Sequence, residues 1–291
     1  MGIPRLSAPL RIALNRAARV LAALALLVTL AGCTTMRDAK PDAAQTSGTE
    51  DANIGQFVER SVRVDGADYR YRTFVPAARF RRGPAPTILF LHGTGERGSD
   101  GEKPTLVGLG PYVRAHADTF PAIAVFPQAP DGQDWKDTAM RIAFAALDDA
   151  SRAYGGDIDR TYLTGLSMGG YGTWELALKQ PRRFAALVPV CGGLTAPRTE
   201  RDLYVTPLRG EDDPPAALAQ RVKATPIWIF HGGKDDVVPP TQSRTIYAAL
   251  KNAGAADARY TEFPEANHNS WDPAYSQTPE LWTWLFAQRR K

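Results

Sequence analysis

Gly165-Leu166-Ser167-Met168-Gly169-Gly170 directly follows the apolar, β-prone run Thr161-Tyr162-Leu163-Thr164. The pattern is G-x-S-x-G. It predicts a serine on a sharp strand-to-helix turn, with flanking glycines supplying the space and dihedrals that such a turn demands. The Ser167 hydroxyl then points away from the sheet, toward whatever base and amide donors stand above it. The pentapeptide is short enough to occur by chance, so its meaning depends on partners elsewhere in the chain.

Around this turn strands and helices alternate. Residues 58–64 and 68–75 predict an antiparallel pair joined near Asp65-Gly66. Thr87-Ile88-Leu89-Phe90-Leu91 and Ala122 to Phe126 are continuous apolar runs, as expected of strands buried on both faces. Residues 138–154 carry Ile142, Ala145, Ala146 and Ala150 at helical spacing, closed by Gly155-Gly156. After the serine come a helix at 169–179, a strand at 184–190, and a strand at 226–230. A helix at 240–253, a strand at 258–263 and a helix at 279–289 complete the chain. The alternation predicts an α/β fold, a mostly parallel doubly wound sheet with helices on both faces, formed by one domain over 57–291. Segment 194–225 breaks the rhythm and is expected to be a lid-like insertion near the site.

The first 32 residues predict a targeting segment. Arg5, Arg11, Arg16 and Arg19 precede the apolar run Val20 to Ala31, which is too short to span a bilayer comfortably. It ends in Leu30-Ala31-Gly32-Cys33, resembling the bacterial lipoprotein signal, in which the cysteine is acylated and becomes the mature N-terminus. Thr34 resembles the outer-membrane-sorted pattern. Residues 33–56 are small and polar, a flexible tether from lipid to domain. The expected location is therefore extracytoplasmic, on a bacterial membrane through a lipid anchor at Cys33.

Charge excludes one class of partner. The formal charge is +4, but without the four leader arginines the remaining 31 basic residues equal the 31 acidic ones. No basic stripe remains for nucleic acid. Two cysteines, Cys33 and Cys191, permit no disulfide framework once Cys33 is lipidated. Cys191 ends an apolar run and is expected to be a buried free thiol. No ligand cluster points to a metal or organic cofactor.

Serine chemistry needs a base, a carboxylate to orient it, and amide donors for an oxyanion. In one known chain order the acid and then the histidine follow the serine. Of four histidines only His231 and His268 lie after Ser167. His268 sits in a polar loop before the last helix and is the expected base; His231 ends a strand and is expected to shape the turn before the acid. His231-Gly232-Gly233-Lys234-Asp235-Asp236 offers two adjacent carboxylates. The glycine-rich stretch Leu91 to Gly98 follows a buried strand. It assigns the oxyanion donors to the backbone N–H groups of Thr94 and Met168, with Glu96 and Arg97 expected to pair and brace that loop. It lacks the Gly-Lys-Ser/Thr ending of a phosphate cradle.

From about residue 60 onward these pieces resemble α/β-hydrolase esterases of the carboxylesterase/phospholipase and dienelactone hydrolase-like type. The match is closest to a peptidase-or-esterase branch with L-H-G-x-G-E-R-G and P-Q-x-P loops. Its pieces are Leu91 to Gly98, Gly108-Leu109-Gly110-Pro111, Phe126-Pro127-Gln128-Ala129-Pro130 with Trp135, the serine turn, and Asn267-His268-Asn269-Ser270-Trp271. The long segment 194–225 departs from it. The resemblance selects Asp235, by the pattern H-G-x-x-D-x-x-V-P, and leaves Asp236 to cap the following turn and helix. It implies a Ser167–Asp235–His268 triad that cleaves carboxylic esters through an acyl-enzyme. The substrate would be a small-molecule or carbohydrate ester, with Trp135 and Trp271 flanking the site. A serine peptidase of the prolyl oligopeptidase-like type and an inactive binding lipoprotein are the alternatives; the oligomeric state stays open.

Overall fold

The computed structural model of the 291-residue chain describes residues 53–197 and 202–290. The leader, Cys33 and most of the tether lie outside the described residues. Strands β1 (Gln56–Val64) and β2 (Ala67–Val75) form the expected hairpin, in register from Gln56 against Val75 to Val64 against Ala67. Asp65 and Gly66 both have positive φ, at 51° and 82°. A two-residue hairpin turn requires that combination, and aspartate and glycine adopt it with least strain.

β3 (Ala85–Leu91), β4 (Ile123–Pro127), β5 (Gly156–Leu166), β6 (Ala186–Val190), β7 (Ile227–Gly232) and β8 (Ala258–Phe263) complete an eight-stranded sheet of order β1-β2-β4-β3-β5-β6-β7-β8. β1 and β2 are antiparallel; from β4 to β8 the pairing is parallel. This is the α/β-hydrolase fold. The apolar runs read in the sequence are buried because both faces are covered: every residue of β3, β4, β6 and β7 is buried.

On one face, Ile88 and Phe90 pack with α1 (Leu109–Ala115), α6 (Trp271–Ser276) and α7 (Pro279–Ala287). On the other, Leu89 and Leu91 pack with α2 (Asp137–Tyr154), α3 (Met168–Lys179), α4 (Pro214–Val222) and α5 (Thr241–Asn252). Each such buried Leu, Ile or Phe contributes about 1.5–3 kcal/mol relative to exposure. Gly155 ends α2 in the left-handed conformation, its N–H donating to the Ser151 carbonyl. Among the described residues no helix is long and apolar enough to cross a membrane.

The segment expected as a lid-like insertion holds the crossover helix between β6 and β7. Asp213 caps α4 by accepting from the Ala216 N–H at 3.0 Å, and Pro214 opens the helix. Leu218, Ala219 and Val222 are buried, and α4 packs on α5 and α3. The Asp-Pro-Pro start is itself an N-terminal helix signal. Residues 198–201 fall outside the described residues.

Strand order places the site. The chain leaves β3 for β4 on one side, and β5 then lies on the other side of β3. At such a switch point the loops after the two strands diverge and leave a crevice beyond their carboxyl ends. The loop after β3 and the turn after β5 carry the glycine-rich stretch and Ser167.

Candidate active site

Ser167 joins β5 to α3 with φ 54° and ψ −118°, a conformation rare for any side-chain-bearing residue. Such strain persists only where the surroundings over-determine it. Here the Ser167 N–H donates to the Val190 carbonyl at 2.9 Å, and the backbone closes in on both sides. A methyl group on Gly169 would stand 1.9 Å from the Leu91 carbonyl oxygen, and one on Gly165 would stand 2.3 Å from that of Gly169. Only glycine fits either position. The G-x-S-x-G spacing is thus a packing requirement of the turn.

His268 arrives from the loop between β8 and α6, which is stitched to the loop after β7. The Lys234 N–H donates to the Ala266 carbonyl at 2.9 Å and the Gly233 N–H to that of Phe263 at 2.8 Å. His268 Nε2 lies 2.9 Å from Ser167 Oγ, and its Nδ1 lies 2.8 Å from Asp235 Oδ2. Ser167 and the Asp235 side chain are buried, while the His268 side chain keeps 19% of its surface exposed.

Asp235 is held from every side. Its Oδ1 accepts from the N–H groups of Val237 and Val238, each at 2.9 Å. Its Oδ2 accepts from His268 and lies 3.2 Å from His231 Nε2. Burial alone would push this carboxyl up, but the hydrogen bonds from His231, His268 and the Val238 amide outweigh it and hold the group well below the usual carboxylate range. It therefore stays ionised. His231 does more than shape a turn. Its Nε2 also meets the Val238 carbonyl at 2.9 Å and its Nδ1 meets Ser243 Oγ at 2.7 Å. The pattern places the Nε2 of the ring against two oxygen acceptors and its Nδ1 against the Ser243 hydroxyl. Asp236 is exposed and does not cap: Asp235 itself takes the amides of that turn, and α5 has Pro240 as its N-cap residue with no side-chain cap.

The loop after β3 stands over Ser167. A methyl group on Gly93 would lie 3.7 Å from Ser167 Cβ. Thr94 begins a short 3-10 turn over Thr94–Glu96, and Met168 begins α3. Both amides therefore occupy first-turn positions, whose N–H groups lack intrahelical acceptors. His92 holds the loop from beneath. It is fully buried, its Nδ1 lies 2.6 Å from the Gly93 carbonyl, and its Nε2 accepts the Ala129 N–H at 3.0 Å. Burial drops it to about 4, so the ring is neutral. Gln128 bridges the loops, donating to the Glu96 carbonyl at 2.9 Å and accepting from the Gly101 N–H at 2.7 Å.

One expectation for this region fails. Glu96 and Arg97 make no ion pair: Arg97 Nε donates to the Gln133 carbonyl at 2.6 Å. Glu96 sits half-buried, and burial raises its carboxyl against the pull of the Gly93 amide and its own. Adjacent side chains on a tight turn diverge, so neighbours in sequence need not meet. Trp135, which flanks the site in sequence, packs the loop: it is buried with its Nε1–H on the His92 carbonyl at 3.0 Å and its ring edge-on to His92. Trp271 remains beside the site, edge-on to His268 at 5.6 Å between centroids.

With this geometry in place, comparison with known proteins becomes decisive. A model of the prolyl oligopeptidase family matches residues 132–289. The chain belongs to this family. The matched span holds Ser167, Asp235 and His268, whereas the loop Leu91 to Gly98 lies before it.

The chain is 50% identical over 46 residues to esterase LipQ of Mycobacterium tuberculosis, covering 16% of this chain and 11% of that one. It is 26% identical over 220 residues to an uncharacterised secreted protein of Arthroderma benhamiae, covering 70% and 23%. The chain thus spans less than a quarter of the length of these two relatives. A thermostable esterase of known structure superposes with a TM-score of 0.63 at 29% identity, covering 80% of this chain and 63% of that one.

In this family member, Cys191 lies beneath the constellation at the end of β6. Its thiol is free and fully buried, and burial pushes it up, so it stays protonated. Its sulfur, an Asp235 oxygen and a His268 nitrogen lie within 4.8 Å of one another. A metal there would have to displace the hydrogen bonds that Asp235 and His268 already make.

Proposed function

We propose that the protein is a serine hydrolase cleaving carboxylic esters, with Ser167 as nucleophile, His268 as base and Asp235 as the orienting acid. The observation that carries this is the single imidazole bonded on one side to Ser167 Oγ at 2.9 Å and on the other to Asp235 at 2.8 Å. His268 Nε2 takes the Ser167 proton as the oxygen attacks the ester carbon. The ionised Asp235 stabilises the resulting cation without taking the proton. The amides of Thr94 and Met168 receive the oxyanion. His268 then protonates the departing alcohol and, in the second half, deprotonates the water that releases the acid. Neither metal nor organic cofactor enters these steps.

Ester rather than peptide cleavage is supported by LipQ and by the protein of the thermostable structure, both esterases. The family description leaves the peptidase reading as the second one. The secreted relative supports an extracytoplasmic location, and Cys33 is the proposed lipid attachment site. The test is Ser167→Ala on a panel of 4-nitrophenyl esters beside matched peptide substrates. A loss of kcat of roughly 10⁴-fold or more on esters is expected; undiminished turnover would overturn the assignment. Intact mass of membrane-extracted protein, with and without Cys33→Ser, reads the acyl chains.

A further inference from the structure

The missing Glu96–Arg97 pair leaves a cation on the loop that faces Ser167. Arg97 is half-buried, and its only protein acceptor among the described residues is the Gln133 carbonyl on Nε. The terminal nitrogens of the guanidinium therefore carry no carboxylate partner among the described residues. Lys136, close by, is placed differently. It pairs with Asp134 at 2.8 Å, donates to the Asp202 carbonyl at 2.8 Å and sits 3.8 Å above the Tyr204 ring. Lys136 is spent on the protein, and Arg97 is not.

Arg97, Gln133, Asp134, Lys136, Asp137, Asp202 and Tyr204 are among the residues lining a cavity of about 600 Å³. That volume is in the ordinary range for a small-molecule site. Its position ties it to the chemistry. Arg97 stands three residues beyond Thr94, on the loop whose Gly93 abuts Ser167. Trp135, between Asp134 and Lys136, packs on Gly172 in the second turn of α3. The Asp134 charge is balanced by Lys136, and the Asp137 and Asp202 side chains are exposed, where water screens them. A half-buried guanidinium with free terminal N–H groups matches a carboxylate in two parallel hydrogen bonds.

We propose that this cavity is a substrate subsite in which Arg97 selects esters that carry a carboxylate elsewhere in the molecule. The proposal rests on the hydrolase reading above and narrows it to a substrate class. The carboxylate belongs either to the acyl part or to the alcohol part, and both place the same chemistry on Arg97.

The experiment compares kcat/KM on two matched pairs by pH-stat: monomethyl adipate with methyl hexanoate for an acyl-borne carboxylate, and 4-acetoxybenzoate with phenyl acetate for an alcohol-borne one. Turnover of the neutral esters by the wild-type chain reports the hydrolase reading by itself. In at least one pair Arg97→Gln is expected to lose tenfold or more on the charged ester and less than twofold on the neutral one. Arg97→Lys should restore part of the preference, and added salt should weaken it. Unchanged thermal unfolding of Arg97→Gln establishes that the fold is intact. Equal changes on both members of each pair, or no change on either, would overturn the subsite and leave the hydrolase reading standing.

Discussion

Asp235 Oδ2 lies between two histidine rings, 2.8 Å from His268 Nδ1 and 3.2 Å from His231 Nε2. One ring faces Ser167; the other is fully buried and anchored by Ser243 and the Val238 carbonyl. On the proposed mechanism His231 acts through Asp235, as a positioning residue. His231→Ala should lower kcat about tenfold or more, because a hydrogen bond to a charged group contributes about 1.5–3 kcal/mol. KM should stay within about twofold, and His231→Gln, which keeps an N–H donor, should recover part of kcat. Steady-state kinetics on a neutral ester reads both, and an unaltered kcat in His231→Ala would remove the assigned role.

The two adjacent aspartates should separate cleanly. Asp235 is buried with four hydrogen-bond partners and Asp236 is exposed. Asp235→Asn leaves the shape intact but disfavours the His268 tautomer that accepts the serine proton, so kcat should fall by roughly 10⁴-fold. Asp236→Asn should stay within about twofold. Parallel rates for the two variants would show that the carboxylate is elsewhere.

His92 makes the fold acid-sensitive. Its value falls from 6.5 to about 4 in the folded chain because burial disfavours the cation. The unfolded chain therefore takes up this proton first. The contribution is complete above pH 6.5 and is lost as pH falls toward 4, by about 3 kcal/mol in all. Urea unfolding of wild type and His92→Gln across that window should show a steeper decline in the wild type. Parallel declines would mean that other groups set the acid limit.

Glu175 anchors the chain between β6 and α4. It is 2% exposed on α3 and accepts from both the N–H and the hydroxyl of Thr206, at 2.6 and 2.8 Å. Glu175→Ala leaves the half-buried Thr206 amide without its acceptor and should destabilise by about 1–3 kcal/mol. Thr206→Val removes only one bond and should do less. Urea midpoints check the order of the two, and limited proteolysis should cut within 202–213 sooner in Glu175→Ala.

Much of this molecule was legible in one dimension because the signals are local. Asp65-Gly66 predicts its hairpin, the apolar run 87–91 its buried strand, and Gly155 its helix end, since each depends on dihedrals or periodicity within a few residues. The nucleophile turn belongs with them: Gly165 and Gly169 are glycines because the backbone passes too close for any side chain. Even α4 had its signal in Asp213 and Pro214, obscured by the charged stretch before it.

What the linear chain determined was the inventory and its order, serine then acid then histidine, on the ends of alternating strands. Pairing between segments was decided only by the tertiary structure. Glu96 and Arg97 are neighbours in sequence yet part company, because the turn sends one toward Gly93 and the other toward Gln133. Asp235, and not Asp236, meets His268 because the loops after β7 and β8 are stitched together by backbone hydrogen bonds. His231 joins the site because β7 ends directly beneath Asp235. Periodicity reports which face a residue takes; the contacts it makes there depend on strand order, which brings together side chains as distant in the chain as Ser167 and His268.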